Sequence, residues 1–200
     1  IKESVENGIS QEMRVYMRSF YMIRHGETTT NFEKLATGQL DIELTEKGKN
    51  QAEQCRDTIR SMELKLDVIL CSGLVRTKQT DDIINEKLGC PIFLRPELNE
   101  QNYGDWENKP WESILSEIKE NGENPPNGES QLEFYNRINS AIENLLEIFD
   151  GTILFVSHAG VFKSMYSKFN LSQSNIENGV LYEFKFSLKG DVLLEVLKHN

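Results

Sequence analysis

Ser19-Phe20-Tyr21-Met22-Ile23-Arg24-His25-Gly26-Glu27-Thr28 and Thr152-Ile153-Leu154-Phe155-Val156-Ser157-His158-Ala159-Gly160 decide how this chain folds. Each is a short apolar run that stops at a histidine followed by a small residue. Runs of this length without polar alternation read as strands buried on both faces. Asp67-Val68-Ile69-Leu70-Cys71 reads the same way, and Pro91-Ile92-Phe93-Leu94 as a shorter strand. Two further strands close the chain, near Leu181–Phe186 and Val192–Leu197.

Helical signals lie between the strands. Thr45 reads as an N-cap, and the helix after it sets Ala52, Cys55, Ile59 and Met62 on one side. A second helix is expected over Ser72 to Leu88, ended by Gly89. Ser130 and Glu133 have capping-box spacing, and Tyr135, Ile138, Ile142, Leu145 and Phe149 form the expected buried stripe of the helix that follows. Glu97 to Gly128 is irregular, with Tyr103, Trp106, Trp111 and Pro125-Pro126, and reads as a lid with a short helix near Trp111 to Lys119. The expected fold is therefore α/β: a mostly parallel sheet flanked by helices on both faces, with a small lid insertion. Residues 1–18 read as a loose N-terminal arm and residues 19–200 as one domain.

The chain has 200 residues and a net charge of -10. That balance argues against a nucleic-acid partner, which needs a basic face. It leaves room for an anionic substrate, because a few convergent arginines make a cleft locally positive. Cys55, Cys71 and Cys90 form no CxxC pair and no zinc spacing, so they read as small core residues of a protein from a reducing compartment. No stretch has the length of a membrane span, and Ile1-Lys2-Glu3-Ser4 does not open a secretory signal. A cytoplasmic location with no membrane partner is expected. Oligomeric state is not encoded in any of these patterns.

In parallel sheets covered by helices, ligands bind beyond the carboxyl ends of the strands. Arg24 and His25, Ser72 with Arg76 one turn on, and His158 all follow strands and so meet at one edge. Helix N-termini there favour anions, and arginine binds phosphate oxygens bidentately. Arg76 falls in the first turn of its helix, where a cation gains nothing from the dipole unless an anion shares the site. These residues together are a phosphate cradle with an imidazole in it. Arginines beside both histidines disfavour a metal there. His199, next to last, reads as surface or tail.

Arg24-His25-Gly26-Glu27-Thr28 with Asn31 resembles the signature of the histidine phosphatase superfamily, also called phosphoglycerate-mutase-like. The likeness continues in order through Thr37-Gly38 with Asp41, Leu44-Thr45, Gly48 and Gln51-Ala52. It goes on through Ser72-Gly73-Leu74-Val75-Arg76 with Gln79-Thr80, and through Glu100 with Gly104, Trp106 and Glu107. It ends with Gly128-Glu129-Ser130 and Ser157-His158-Ala159-Gly160. Gly73 stands where the family more often has proline, and Asn108 where glycine is usual.

The resemblance implies that His25 is the nucleophile and is phosphorylated in turnover. Arg24, Arg76 and a protonated His158 would neutralise the phosphoryl oxygens, with Asn31 and the backbone after His158 adding hydrogen bonds. Glu100 would be the proton donor, with Glu97 a weaker candidate. Thr37, Gly38 and Tyr103 would line the substrate site. Both tryptophans read as packing residues. No metal and no cofactor is implied, and the partner is a small phosphorylated metabolite. Two alternatives stand beside phosphomonoester hydrolysis: a phosphoglycerate mutase, and a non-catalytic phosphate- or phosphoprotein-binding module. The family's mutases resemble one another in a longer lid with paired arginines, and Gln101 to Asn127 contains no arginine, which favours hydrolysis.

Overall fold

The computed structural model describes residues 19–121, 124–172, 175–186 and 192–197. Residues 1–18 and His199, for which an arm and a tail are expected, lie outside these. The strands are β1 (Phe20–Arg24), β2 (Val68–Cys71), β3 (Ile92–Leu94), β4 (Ile153–Ser157), β5 (Leu181–Phe186) and β6 (Val192–Leu197). The α-helices are α1 (Thr29–Phe32), α2 (Glu46–Ser61), α3 (Val75–Asn85), α4 (Trp111–Asn121), α5 (Gln131–Ile148) and α6 (Ala159–Lys168).

The strands form one sheet in the order β3-β2-β4-β1-β5-β6. β3, β2, β4 and β1 run parallel, and β5 and β6 are antiparallel additions at one edge. Successive side chains point to opposite faces of a strand, which splits the core in two. Phe20 and Met22, Val68 and Leu70, and Ile153 and Phe155 pack under α5 and α6. Ile23, Ile69 and Cys71, and Leu154 and Val156 pack under α2 and α3. Both faces of the sheet are covered, as expected from its apolar runs.

The capping signals hold. Thr45 Oγ1 accepts from Gly48 N, and Ser130 with Glu133 forms a reciprocal capping box. Four details depart from expectation, among them the end of α3 at Asn85 in place of Leu88. Met62 follows the last turn of α2 and is 43% exposed. The buried stripe of α5 begins at Phe134, not Tyr135, and continues through Ile138, Ala141, Ile142, Leu145 and Leu146. α3 begins at Val75, because Ser72 N still donates to Val156 O and extends the sheet ladder by one residue.

The segment expected to be a lid has its own small core. Trp106, Ile114 and Ala36 are buried together, with Tyr103, Trp111 and Ile118 packed on them. Trp106 Nε1 donates to Glu117 at 2.7 Å.

Candidate active site

Parallel pairing sets Arg24 opposite Ser157, and Cys71 opposite Val156. The next residues, His25, His158 and Ser72, therefore leave the sheet side by side. His25 N donates to Ser157 O at 2.9 Å, one rung past β1. The two imidazole rings stand 5.3 Å apart, centre to centre, tilted by 58°.

His25 is buried, and its ring is fixed at both nitrogens. Nδ1 lies 2.7 Å from Gly26 O, and Nε2 accepts from Arg76 Nε at 3.3 Å. A carbonyl can only accept, so Nδ1 carries the proton and Nε2 keeps its lone pair. Burial first, then the Arg76 and Arg24 charges, hold the imidazole well below its ordinary value, so it is neutral near pH 7. The backbone beneath is pinned by Gly26 N donating to Thr80 Oγ1 and Asn178 Nδ2 donating to His25 O. A Cβ on Gly26 would meet Gly48 O at 2.3 Å. Only glycine lets the first turn of α2 press this close.

Arg76 uses three of its five N–H groups on protein: Nε to His25, Nη1 to Leu40 O at 2.9 Å and Nη2 to Gly38 O at 2.8 Å. The remaining two are open to an oxyanion. Burial lowers its pKa to about 10, which still leaves the guanidinium charged at neutral pH. Arg24 Nη1 donates to Ile176 O at 2.8 Å. Its Nε is buried with no partner among the described residues.

His158 is 0% exposed, beside His25, and is not itself among the residues lining the cleft. Its Nε2 lies 2.7 Å from Ser72 Oγ, and that hydroxyl donates onward to Asn99 Oδ1 at 2.9 Å. With its proton given to Asn99, Ser72 accepts from His158, so Nε2 carries the hydrogen. Nδ1 is buried with no partner. Burial first, then Arg76, His25 and Arg24, hold His158 well below its ordinary value. It is thus neutral near pH 7 without a ligand, and the imidazolium expected around a phosphoryl group needs an anion beside it.

Glu100 is buried, and both its oxygens are held by backbone amides: Oε1 by Gln101 N at 2.9 Å and Oε2 by Gly160 N at 3.0 Å. One amide after His158, that of Gly160, therefore serves this carboxylate, while Ala159 lines the cleft. A Cβ on Gly160 would stand 2.1 Å from Glu100 Oε1, so glycine is required for the approach. Arg137, unforeseen from the sequence, donates to Glu97 O, Asn99 O and Glu100 O and pairs with Glu129. It fixes the segment that carries Glu100. Glu97 lines a separate depression with Arg95, away from His25.

Arg24, His25, Arg76 and Glu100 line a cleft of about 260 Å³, whose wall also includes Asn31, Thr37, Gly38, Tyr103, Trp111 and Lys163. Asn31 Oδ1 is engaged by Thr28 N and Asn178 Nδ2, which leaves its amide hydrogens. Thr37 Oγ1 is 2.7 Å from Thr30 Oγ1. Lys163, on α6, gave no sequence signal, because one lysine on a helix has no pattern. Among the described residues, no group of three or more His, Cys, Asp or Glu side chains is placed to hold a metal ion.

The profile of the Histidine phosphatase superfamily (branch 1) matches residues 20–193. A curated protein of Escherichia fergusonii named "Probable phosphoglycerate mutase GpmB" is 40% identical over 152 residues, 71% of this chain and 70% of that one. Its namesake in Escherichia coli O1:K1 is 37% identical over 153 residues, with the same shares. Among solved structures, the alpha-ribazole phosphatase of Shigella flexneri superposes with a TM-score of 0.77 at 28% identity, covering 91% of this chain and 96% of that one. YhfR of Bacillus stearothermophilus gives 0.78 at 25% identity, covering 89% and 95%.

Proposed function

Because this chain belongs to branch 1 of the histidine phosphatase superfamily, we propose that it hydrolyses small phosphomonoesters through a phosphohistidine on His25, without a metal ion. The observation that carries this reading is the tautomer: Nδ1 bonded to Gly26 O leaves the Nε2 lone pair on the cleft side, against Arg76. A neutral imidazole held in that form is a nucleophile at neutral pH.

In the first step Nε2 attacks phosphorus and the P–O bond to the alcohol breaks. Glu100 gives the departing oxygen its proton. As the lone pair turns to phosphorus, Arg76 Nε–H is released to a phosphoryl oxygen. Once the anion has entered, Arg24 Nε and His158 Nδ1, both buried without partners among the described residues, turn to further oxygens. His158 gains its proton as the anion arrives, since Nε2 already serves Ser72. In the second step the Glu100 carboxylate takes a proton from water, the water oxygen attacks phosphorus, and the P–N electrons return to Nε2. Phosphoryl transfer is catalysed mainly by such positioning and charge.

The name of the curated relatives favours a second reading, a phosphoglycerate mutase. A mutase must hold a second anionic group and keep water from the phosphoenzyme. Beyond Arg24 and Arg76, the described lining around His25 includes one cation, the exposed Lys163, and Lys34 and Lys47 lie farther out. The alpha-ribazole phosphatase likeness supports hydrolysis. Purified protein given para-nitrophenyl phosphate should release inorganic phosphate in the presence of chelator. 3-Phosphoglycerate with a 2,3-bisphosphoglycerate primer should yield free phosphate faster than 2-phosphoglycerate; the opposite order would make it a mutase. Cys55, Cys71 and Cys90 are buried free thiols, which supports a reducing, cytoplasmic setting. No described helix is long and apolar enough to cross a membrane.

A further inference from the structure

The phosphate cleft opens into a second chamber of about 560 Å³. The two are continuous, sharing Arg24, Asn31, Leu35, Trp111, Asn175 and Ile176 along their seam. The inner one carries the reactive groups. The outer one is edged by Lys34, Lys47 and Gln51. A three-carbon phosphoacid fits within the inner chamber and leaves the outer one unused.

Trp111 is the aromatic residue common to both chambers, and it differs from Trp106 in every respect that matters for binding. Trp106 is 4% exposed and its indole N–H is bonded to Glu117. Trp111 is half-buried, and its indole N–H has no partner among the described residues. Its position is nonetheless fixed. Its backbone N donates to Lys34 O at 3.1 Å, and Tyr103 packs against its ring at 5.1 Å and 89°. Leu35 and Ile176 flank Trp111 with an apolar strip on a seam that also holds Arg24, Asn31 and Asn175, while the outer rim is polar and cationic. An immobilised indole between a phosphate site and a polar chamber matches a ligand that is anionic at one end, flat and apolar in the middle, and polar at its far edge.

We propose that the substrate is a phosphomonoester whose alcohol carries an aromatic or heteroaromatic ring, and that this ring lies against Trp111. This rests on the hydrolase reading only for where the phosphate sits; ring binding needs no turnover.

Adenosine 5′-monophosphate and ribose 5-phosphate share the primary alkoxide leaving group and differ by the base. Wild-type kcat/KM should favour the nucleotide by about tenfold or more, the scale of ring stacking on an aromatic side chain. Trp111→Ala should bring that ratio close to one, and Trp111→Phe should keep most of it. A second arm reads binding alone. The protein has two tryptophans, so in the His25→Ala, Trp106→Phe double variant Trp111 is the sole emitter. Adenosine 5′-monophosphate and naphthyl phosphate should quench it at concentrations where ribose 5-phosphate does not. Hydrolysis of both sugar phosphates at equal kcat/KM, with no selective quenching by either ring-bearing probe, overturns the ring site and leaves the hydrolase standing. Selective quenching without hydrolysis by wild type does the reverse.

Discussion

Arg76 Nε donates to His25 Nε2 across 3.3 Å, so the guanidinium guards the lone pair that the proposed chemistry uses. The same side chain ties down the carbonyls of Gly38 and Leu40, so one residue sets both the nucleophile and the cleft wall. Arg76→Lys retains a charge but cannot make three directed bonds from one planar group. Its kcat should fall about a hundredfold or more, the usual loss for a preorganised donor at a phosphoryl group. Near-wild-type kcat in Arg76→Lys, measured with para-nitrophenyl phosphate, would mean charge alone suffices.

The two buried imidazoles link stability to pH. Both are held below their ordinary value in the folded protein, whereas in the unfolded chain each titrates near pH 6.5. As pH falls through that value the unfolded chain takes up protons that the native state refuses. Stability is therefore present above about pH 6.5 and lost below it, by up to about 1.4 kcal/mol per pH unit for each histidine. Denaturant titrations between pH 7.5 and 5 should show a shallower decline for His25→Asn than for wild type. Parallel curves would contradict the neutral assignment.

Asp81 acts in the opposite sense. It is buried on α3 with Oδ1 unpartnered among the described residues, and burial, then neighbouring Asp82, raises its pKa to about 7 from 3.8. Its protonated form suits the fold, so its contribution is present at low pH and lost as pH rises toward 7. Asn replaces the neutral acid without titrating. Asp81→Asn should therefore gain on wild type by roughly 2–3 kcal/mol between pH 5 and pH 8. A pH-independent difference in the same titrations would show that Asp81 ionises freely.

Glu100 should reveal its role through the leaving group. Glu100→Gln keeps the shape but can neither donate nor accept the proton. Alkyl phosphate hydrolysis should slow about a hundred- to ten-thousandfold. para-Nitrophenolate leaves without help, so with that substrate the first step should survive, giving a burst of product followed by slow turnover. Gly160→Ala, whose Cβ would stand 2.1 Å from Glu100 Oε1, should lower kcat in the same substrate-dependent way. Equal losses for both substrates would point to another acid.

How much of this was written in the chain differs from residue to residue. The buried strands were legible because their apolar runs have strand length and end in polar residues. For the same reason Arg24, His25, Arg76 and His158 could be brought to one edge before any coordinates. The stripe of α5 was legible at Ile138, Ile142 and Leu145, but not its first residue, because Phe134 and Tyr135 are both aromatic and only burial separates them. Arg137, Asn99 and Asn178 were invisible, since each acts through a contact with a distant backbone or side chain. That His158 is neutral until an anion arrives was not legible, because its depth and its surrounding cations exist only in the folded protein. Trp111 does pack on the lid core as expected; its added place on the seam between two chambers depends on where Leu35 and Ile176 fall.

The central claim is a covalent bond between phosphorus and His25 Nε2. Mixing the enzyme with a phosphomonoester, quenching in alkaline denaturant and digesting without acid should leave one acid-labile phosphoryl group on the peptide that carries His25, and none on that peptide in His25→Ala. Turnover at an undiminished rate in His25→Ala, or trapped phosphate on any other residue, would contradict the account.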